Sequence, residues 1–552
     1  MRMRSLVFLL LSCIFAVHAL RAQQTLGAVT GTVTDTSGAV IPGAQITVTS
    51  EQTGLTRTQT ANGDGAYIFS GLQIGSYKLT VVSPGFQTDQ HPAVAVQGDR
   101  TTTLDIRMIA GAVSSTVTVT STPTLNKTDT TNGYVLEAAQ IAQIPLGTGS
   151  FTQLAVLTPG VNADFLTGAG SNDGLGNQAI FSNGQRDTSN SFSFNGVNTN
   201  NLFNGSSTSA VAANRFVLST GESFGVGGAI QTNSWVYDAI GEALPSAPPE
   251  FLQELRVNAA NYDASQGANS GAHIEQVVKS GGNDWHGQVY GYRHTDWLDA
   301  APFFRKQDPA VAAIGQHYVP QLHRFTVGGL LGGPAIKDKL FFFAAYQYER
   351  VSDQANGTAE STVPQGLTDD RSVAGIIAAE NAFENESGSG ATPLTPGQLD
   401  PAAVKLLQYK LPGGQYLIPS SNSDGSSGFN ALVAGPASLF RADRAAMSVD
   451  WNLNAKDVLT GRYFYQHDPS STPFTSQAST LGFPQALESG SHVGSIINTA
   501  TLSPHLVYDQ RIGYIREDAF ATTSQQVTPS AAGINLLGFQ KFSRNYHQHR
   551  GQ

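Results

Sequence analysis

The chain is 552 residues long, with 31 basic and 41 acidic side chains and a formal net charge of −10, a length that suggests roughly three or four domains. Only 13% of its residues are charged and 58 are glycine, a composition that suits strands and turns and excludes all-α and coiled-coil folds. An acidic chain without a basic run cannot neutralise a phosphate backbone, so no nucleic acid is expected as a partner. One cysteine makes no internal disulfide, cysteine zinc site or iron–sulfur cluster.

Arg2 and Arg4 precede an apolar run, LVFLLLSCIFAV (6–17), of the length a secretory signal uses and too short to span a bilayer as a helix. Residues 1–22 are read as a cleavable signal peptide, with Ala22 preferred over Ala19 as the last residue removed. Loss of Arg2, Arg4 and Arg21 leaves the mature chain near −13 (−10 − 3). Leu10-Leu11-Ser12-Cys13 could be a lipoprotein anchor, but IFAV follows Cys13 and places it inside the apolar run. No later stretch is long and apolar enough for a membrane helix, which leaves a β-barrel as the spanning option.

Between residues 27 and 110 short runs alternate with period two, as in Ile46/Val48, Tyr77/Leu79/Val81 and Leu104/Ile106/Met108. Gly- and Pro-bearing turns such as Pro42-Gly43, Asn62 to Gly65 and Pro84-Gly85 separate them. Half-buried strands at this density make a β-sandwich, assigned to 23–111. GTVTDTSGAVIPGAQITVTS (31–50), NGDGAYIFSGL (62–72) and GSYKLTVVSPGF (75–86) resemble the carboxypeptidase-regulatory-like domain. That resemblance implies a carbohydrate-binding-like accessory sandwich without peptidase chemistry. Asn62 and Asp64 admit a calcium-ligand reading, which a tight hairpin turn explains more simply.

Residues 112–123 are a linker. Within it, Thr116, Val117, Thr118, Val119 and Thr120 form a β-branched stretch closed by Pro123. It is either the last sandwich strand or a stiff connection, or else it resembles the TonB box, a strand that pairs with the sheet edge of a periplasmic energising protein by β-augmentation.

Residues 124–282 are rich in Gly, Asn and Ser with spaced apolar anchors. They include Gln143 to Leu146, a short helical pattern over 151–157 ended by Thr158-Pro159-Gly160, SNGQRDTSNSFSFNGVNTN (182–200), FLQELRV (251–257) and NYDASQGANSGAHIEQVVKSGGN (261–283). This succession resembles the α+β plug domain of Oar-like TonB-dependent receptors. Asn195 stands where that family more often has Asp, so no role of that carboxylate is carried over.

Gly221-Glu-Ser223-Phe-Gly225 satisfies the nucleophile-elbow pattern, but GVGG (225–228) is a poor helix start and no Gly-rich oxyanion segment precedes it. A chance match in a Gly/Ser-rich chain is the simpler reading. His547 and His549 would share a strand face but lack a third metal ligand. No catalytic residue, metal site or cofactor is expected, and the chain is read as no enzyme.

From 283 onward the runs lengthen. Strands are predicted at 284–294, 322–332, 339–350, 441–453, 457–467, 490–502 and 506–518, near the length of a tilted membrane-crossing strand. Met447, Val449, Trp451 and Leu453 alternate with Ser448, Asp450, Asn452 and Asn454, as do Leu506, Tyr508, Ile512 and Tyr514 with Asp509, Arg511 and Gly513, with Gln510 as an exception. One face would meet lipid and the other a wet lumen. Trp285, Phe341, Phe342, Tyr348, Tyr463 and Tyr465 would form the interfacial girdles. Short turns (333–338, 454–456, 503–505) alternate with long polar loops (295–321, 351–440, 468–489, the longest with a helix over 399–407), the asymmetry of an outer-membrane barrel. KDKLFFFAAYQYE (337–349) and LNAKDVLTGRYFY (453–465) also resemble Oar-like barrel strands. A plugged transporter needs about 22 strands, so 283–552 is read as the incomplete start of a barrel in an N-terminal portion of a longer protein, with strands mispaired or half-curled on their own.

The expected class is all-β: signal peptide, small sandwich, α+β plug and the start of a transmembrane antiparallel barrel. The resemblance implies an outer-membrane receptor that binds an extracellular ligand, possible classes being a glycan or a peptide, and is driven by a TonB-type periplasmic energising protein, with outer-membrane lipid around it. A secreted or surface-attached β-rich carbohydrate-binding or adhesion protein is the alternative.

Overall fold

The computed structural model describes residues 26–111, 116–118, 130–146, 149–163, 177, 179–202, 205, 244–266, 269–301, 319, 321–354, 358–361, 363–364, 366–387, 393–422, 431–473, 481–503, 506–523, 527 and 533. The signal segment, Cys13, the Gly221–Gly225 motif and the His547/His549 pair lie outside these residues.

The first unit comprises β1 (Gly27–Thr34), β2 (Gln45–Ser50), β3 (Thr56–Thr60), β4 (Ala66–Leu72), β5 (Gly75–Val82), β6 (Thr88–Val96), β7 (Thr101–Thr103), β8 (Ile106–Arg107) and β9 (Thr116–Thr118). One sheet runs β4-β1-β7 with β8 also on β1, and the other runs β3-β2-β5-β6-β9. The period-two residues supply the core between them: Ile46, Val48, Leu79, Val81, Ile106 and Met108 are buried with Val29, Tyr67 and Phe69. β1 and the segment after β7 approach so closely that a methyl group on Gly31 would lie 1.9 Å from the Leu104 carbonyl oxygen, so only glycine fits. The Tyr67 hydroxyl donates to that same carbonyl at 2.7 Å. The Asn62 side chain accepts from the Asp64 and Ala66 amides at 3.0 and 2.8 Å, a side-chain-closed turn that accounts for this sequence without a metal.

The middle unit contains β10 (Asn132–Glu137), α1 (Ala138–Ile141), α2 (Thr152–Ala155), β11 (Val161–Ala163), β12 (Ile180–Ser182), β13 (Ser191–Phe194), β14 (Val197–Asn198), β15 (Leu252–Ala260) and β16 (His273–Val278). Its main sheet has the order β10-β15-β16-β13-β14. Asn195 and Gly196 have φ of +49° and +74°, the left-handed pair that a two-residue hairpin favours as Asn-Gly. The Asn195 side-chain oxygen Oδ1 also accepts from the Val278 amide at 3.0 Å, a role for which an amide suffices where the resembling family more often has a carboxylate.

The third unit is one antiparallel sheet, with β17 (His286–Thr295), β18 (Leu322–Ile336), β19 (Leu340–Asp353), β22 (Ser438–Asn454), β23 (Asp457–Thr472), β24 (Gln485–Ser503) and β25 (Leu506–Thr523) paired in that order. β20 (Thr358–Ser361), α3 (Val373–Ser387), α4 (Pro401–Gln408) and β21 (Ala431–Ala434) occupy the long connection between β19 and β22. All seven predicted strands are present, several longer by three to five residues at one end. α4 matches the predicted helix, whereas α3 had no sequence prediction. Among the described residues no helix is long and apolar enough to cross a membrane.

Two expectations need correction. The strands are not mispaired: each pairs with its neighbour in chain order, over ladders as long as Gln485–Ser503 against Leu506–Thr523. Short hairpins set the registers of β18 on β19, β22 on β23 and β24 on β25 locally, without the rest of a barrel. Phe341 is not a girdle residue. It is fully buried on the inner face, while Phe342 turns outward. Its register partner Asp450 is likewise inward-facing.

Candidate functional site: the junction of wall, middle unit and sandwich

The outer face of the sheet is apolar where the alternation predicted it. Met447, Val449, Trp451, Ile512 and Tyr514 are all exposed, with Ile512 at 73%. Ser448, Asp450 and Asn452 between them point inward and are buried. An exposed apolar band over long strands has no stable place in water and matches the lipid-facing belt of a membrane barrel.

The inner face is covered by the middle unit. Phe343, Ala345, Ala446, Phe464 and Val493 of the wall share one core with Phe192, Phe194, Phe251, Leu255 and Ile274. Phe194 and Phe464 have ring centroids 4.7 Å apart. Polar contacts fix the same boundary: Gln466 accepts from the Ser246 amide at 2.9 Å, and the Ser448 hydroxyl donates to the Lys279 carbonyl at 2.9 Å. Asn283 and Asp338 bond reciprocally, side chain to side chain at 2.7 Å and Asp338 amide to Asn283 side chain at 2.8 Å.

Between α1 with its following segment and the inner face of β17, β18, β19 and β22 lies a cavity of about 570 Å3. Ile141, Ile144 and Leu146 make one side apolar, while Arg324, Glu349 and Arg444 line the wall side. Arg324 pairs with Glu349 at 2.5 Å, and Arg444 lies 3.8 Å from the same carboxylate. Its size and mixed lining are those of a small-molecule site.

The sandwich touches both other units. The Gln52 carbonyl accepts from the Asn283 amide at 2.7 Å, and Gln73 reaches the Thr460 hydroxyl at 3.5 Å. Its turn after β6 enters the middle unit. The Gly98 amide donates to Glu254 at 3.4 Å, Gln97 donates to Glu137 at 3.0 Å, Asp99 lies 3.9 Å from the Arg256 guanidinium, and Gln266 donates to Asp99. Arg256 is among the largest fully buried side chains and also bonds Glu254 at 3.2 Å. Burial raises the pKa of Glu254, and Arg256 pulls it back. Burial likewise raises that of Glu275, which accepts from the Gly196 amide at 2.8 Å and from Ser193. His273 lies 4.0 Å from Glu275. Desolvation, with Arg256 adding repulsion, holds its pKa down to about 3, so the contact is not an ion pair at neutral pH. Sequence reading named none of these residues as functional, since nothing local marks a contact between Gly98 and Glu254, 156 positions apart.

Of the docking-strand residues, Thr116, Val117 and Thr118 form β9 and pair in parallel with Thr88, Asp89 and Gln90 at the edge of the sandwich. Val119 and Thr120 lie outside the described residues. Among the described residues no group of three His, Cys, Asp or Glu side chains could hold a metal.

Residues 277–551 match the outer membrane beta barrel domain, and residues 28–109 match the carboxypeptidase regulatory-like domain. The TonB-dependent transporter Oar of Myxococcus xanthus is 26% identical over 358 residues, 60% of this chain and 29% of that protein. The second half of the chain thus resembles an outer-membrane β-barrel, and the chain as a whole is similar to Oar-like proteins. The chain spans less than a third of that relative's length. Among solved structures, the outer membrane transporter YddB from Escherichia coli is 12% identical, with 71% of this chain and 40% of that one covered and a TM-score of 0.43. The ferric enterobactin receptor PfeA of Pseudomonas aeruginosa is 13% identical, with 72% and 46% covered and a TM-score of 0.33.

Proposed function

We propose that the chain is part of a TonB-dependent outer-membrane receptor that takes up a ligand from outside the cell and performs no enzymatic chemistry. The observation that carries this reading is the seating of the middle unit on the inner face of the apolar-banded wall, with Phe194 against Phe464. A unit in that position is a plug, and a barrel held shut by a plug must be opened to pass anything. The outer membrane has no nucleotide pool and no sustained gradient, so the force comes from a periplasmic partner. Residues 116–120 are the strand we assign to that partner, by addition to its sheet edge. The plug–wall cavity, apolar on one side and ion-paired on the other, suits a small amphipathic ligand, and the sandwich is an accessory domain on the periplasmic side. Signal cleavage after Ala22 and domain limits at 111, 123 and 282 belong to the same reading.

The test is membrane fractionation with heat-modifiable migration, followed by uptake in cells with and without the energising protein. Outer-membrane fractionation with partner-dependent uptake supports the reading. A folded, detergent-free soluble product would overturn it in favour of a secreted binding protein.

A further inference from the structure

We propose that the N-terminal sandwich is a periplasmic lid latched to the plug, that the Gly98–Asp99 turn gripping Arg256 and Glu254 is the latch, and that the latch opens before the plug moves. The inference rests on the receptor reading above and adds a second barrier to it. Three features of the contact support a built latch. The turn reaches β15, an interior strand of the plug sheet between β10 and β16. Asp99 adopts a φ of +52°, an uncommon backbone state for a non-glycine residue. At Gly98 the approach is so close that a methyl group would lie 2.1 Å from the Arg256 guanidinium, and Arg256 is pinned by Glu254 and Asp99.

The sandwich also covers what a lid must cover. Gln52, Gln73 and Tyr77 face Gln253 and Val277 of the plug and Thr460 of the wall across a void of only about 70 Å3. Gly71 abuts Val507 at the start of β25, where a methyl group would lie 2.9 Å from its side chain. Material leaving the lumen at this end meets the sandwich. The latch is polar and largely desolvated, so it is specific in geometry, and losing one partner leaves charge uncompensated. A contact of this kind holds at rest and yields to a pull.

The test uses the full-length protein in cells whose outer membrane is permeabilised to a maleimide that does not cross the inner membrane, with Gln253→Cys as reporter, since the chain's one native cysteine, Cys13, leaves with the signal peptide. Labelling is expected to be slow in the otherwise native chain. With Asp99→Lys, and separately with Gly98→Leu, it is expected to rise about tenfold, the scale on which loss of a charge-assisted hydrogen bond shifts an opening equilibrium. Unchanged hydrogen exchange in β15 and β16 would show that the plug itself remains folded. Equal labelling in native and variant chains, or faster labelling only with loss of plug protection, overturns the latch. If the latch variants behave as expected but a proton uncoupler leaves native labelling unchanged, the latch stands and the receptor reading fails.

Discussion

Phe194 of the middle unit and Phe464 of the wall meet with ring centroids 4.7 Å apart and planes inclined by 34°, and both are fully buried. The pair joins two units that have separate sheets into one core. Truncating either ring removes a large buried apolar surface and leaves a cavity. Phe194→Ala and Phe464→Ala are each expected to cost about 3–5 kcal/mol, with a coupling of about 0.5–1.5 kcal/mol between them. Denaturant unfolding of the two single variants and the double variant in detergent micelles measures this, and strict additivity would deny the contact.

Met447 and Ser448 separate a lipid-facing wall from a soluble one. Met447 is 55% exposed and Ser448 is buried against the middle unit, bonded to the Lys279 carbonyl. Met447→Arg is expected to weaken folding into phospholipid vesicles by about 2–4 kcal/mol if this position lies near the bilayer midplane. The same substitution on a water-exposed sheet would change stability by less than about 0.5 kcal/mol. Comparison of vesicle-folded and micelle-folded protein distinguishes the two.

Glu275 gives a pH signature. Burial raises its pKa above the ordinary carboxylate range. The favoured neutral form therefore contributes stability that is present at low pH and lost as pH rises through the folded-state pKa. Glu275→Gln keeps an acceptor for the Gly196 amide and removes the ionisation. The variant is expected to gain on the native protein as pH rises from about 4.5 to 8, read as the difference between their urea midpoints. A difference that shrinks over that range would reverse the sign and refute the assignment.

Val117 lies in β9, paired with Asp89 across the sandwich edge. Val117→Pro removes a backbone donor and fixes φ, so it should abolish capture by the periplasmic domain of the energising protein while leaving ligand binding at the cell surface intact. Retained capture would return the segment to being simply the last strand of the sandwich.

The alternation of Met447 to Asn454 and, Gln510 apart, of Leu506 to Tyr514 marked two of the wall strands by their two faces, and run length with the alternation of short turns and long loops placed the other five. Phe341-Phe342-Phe343 carries no alternation, and its phase came only from pairing, Phe341 with Asp450 and Phe342 with Val449. α3 escaped notice because no sharp apolar stripe marks it. Ala379 is buried on it because Val363, Leu367 and Ala431 from other parts of the long loop pack there. The strand over 116–118 was readable as a strand, yet its parallel seat beside β6 was not. Neither the Asp99–Arg256 approach nor the cavity between middle unit and wall has any local trace. Period, turn chemistry and length act between near neighbours and so are written in the chain. Which strand lies beside which unit depends on packing between segments far apart, where many pairings of similar composition compete until the fold chooses one.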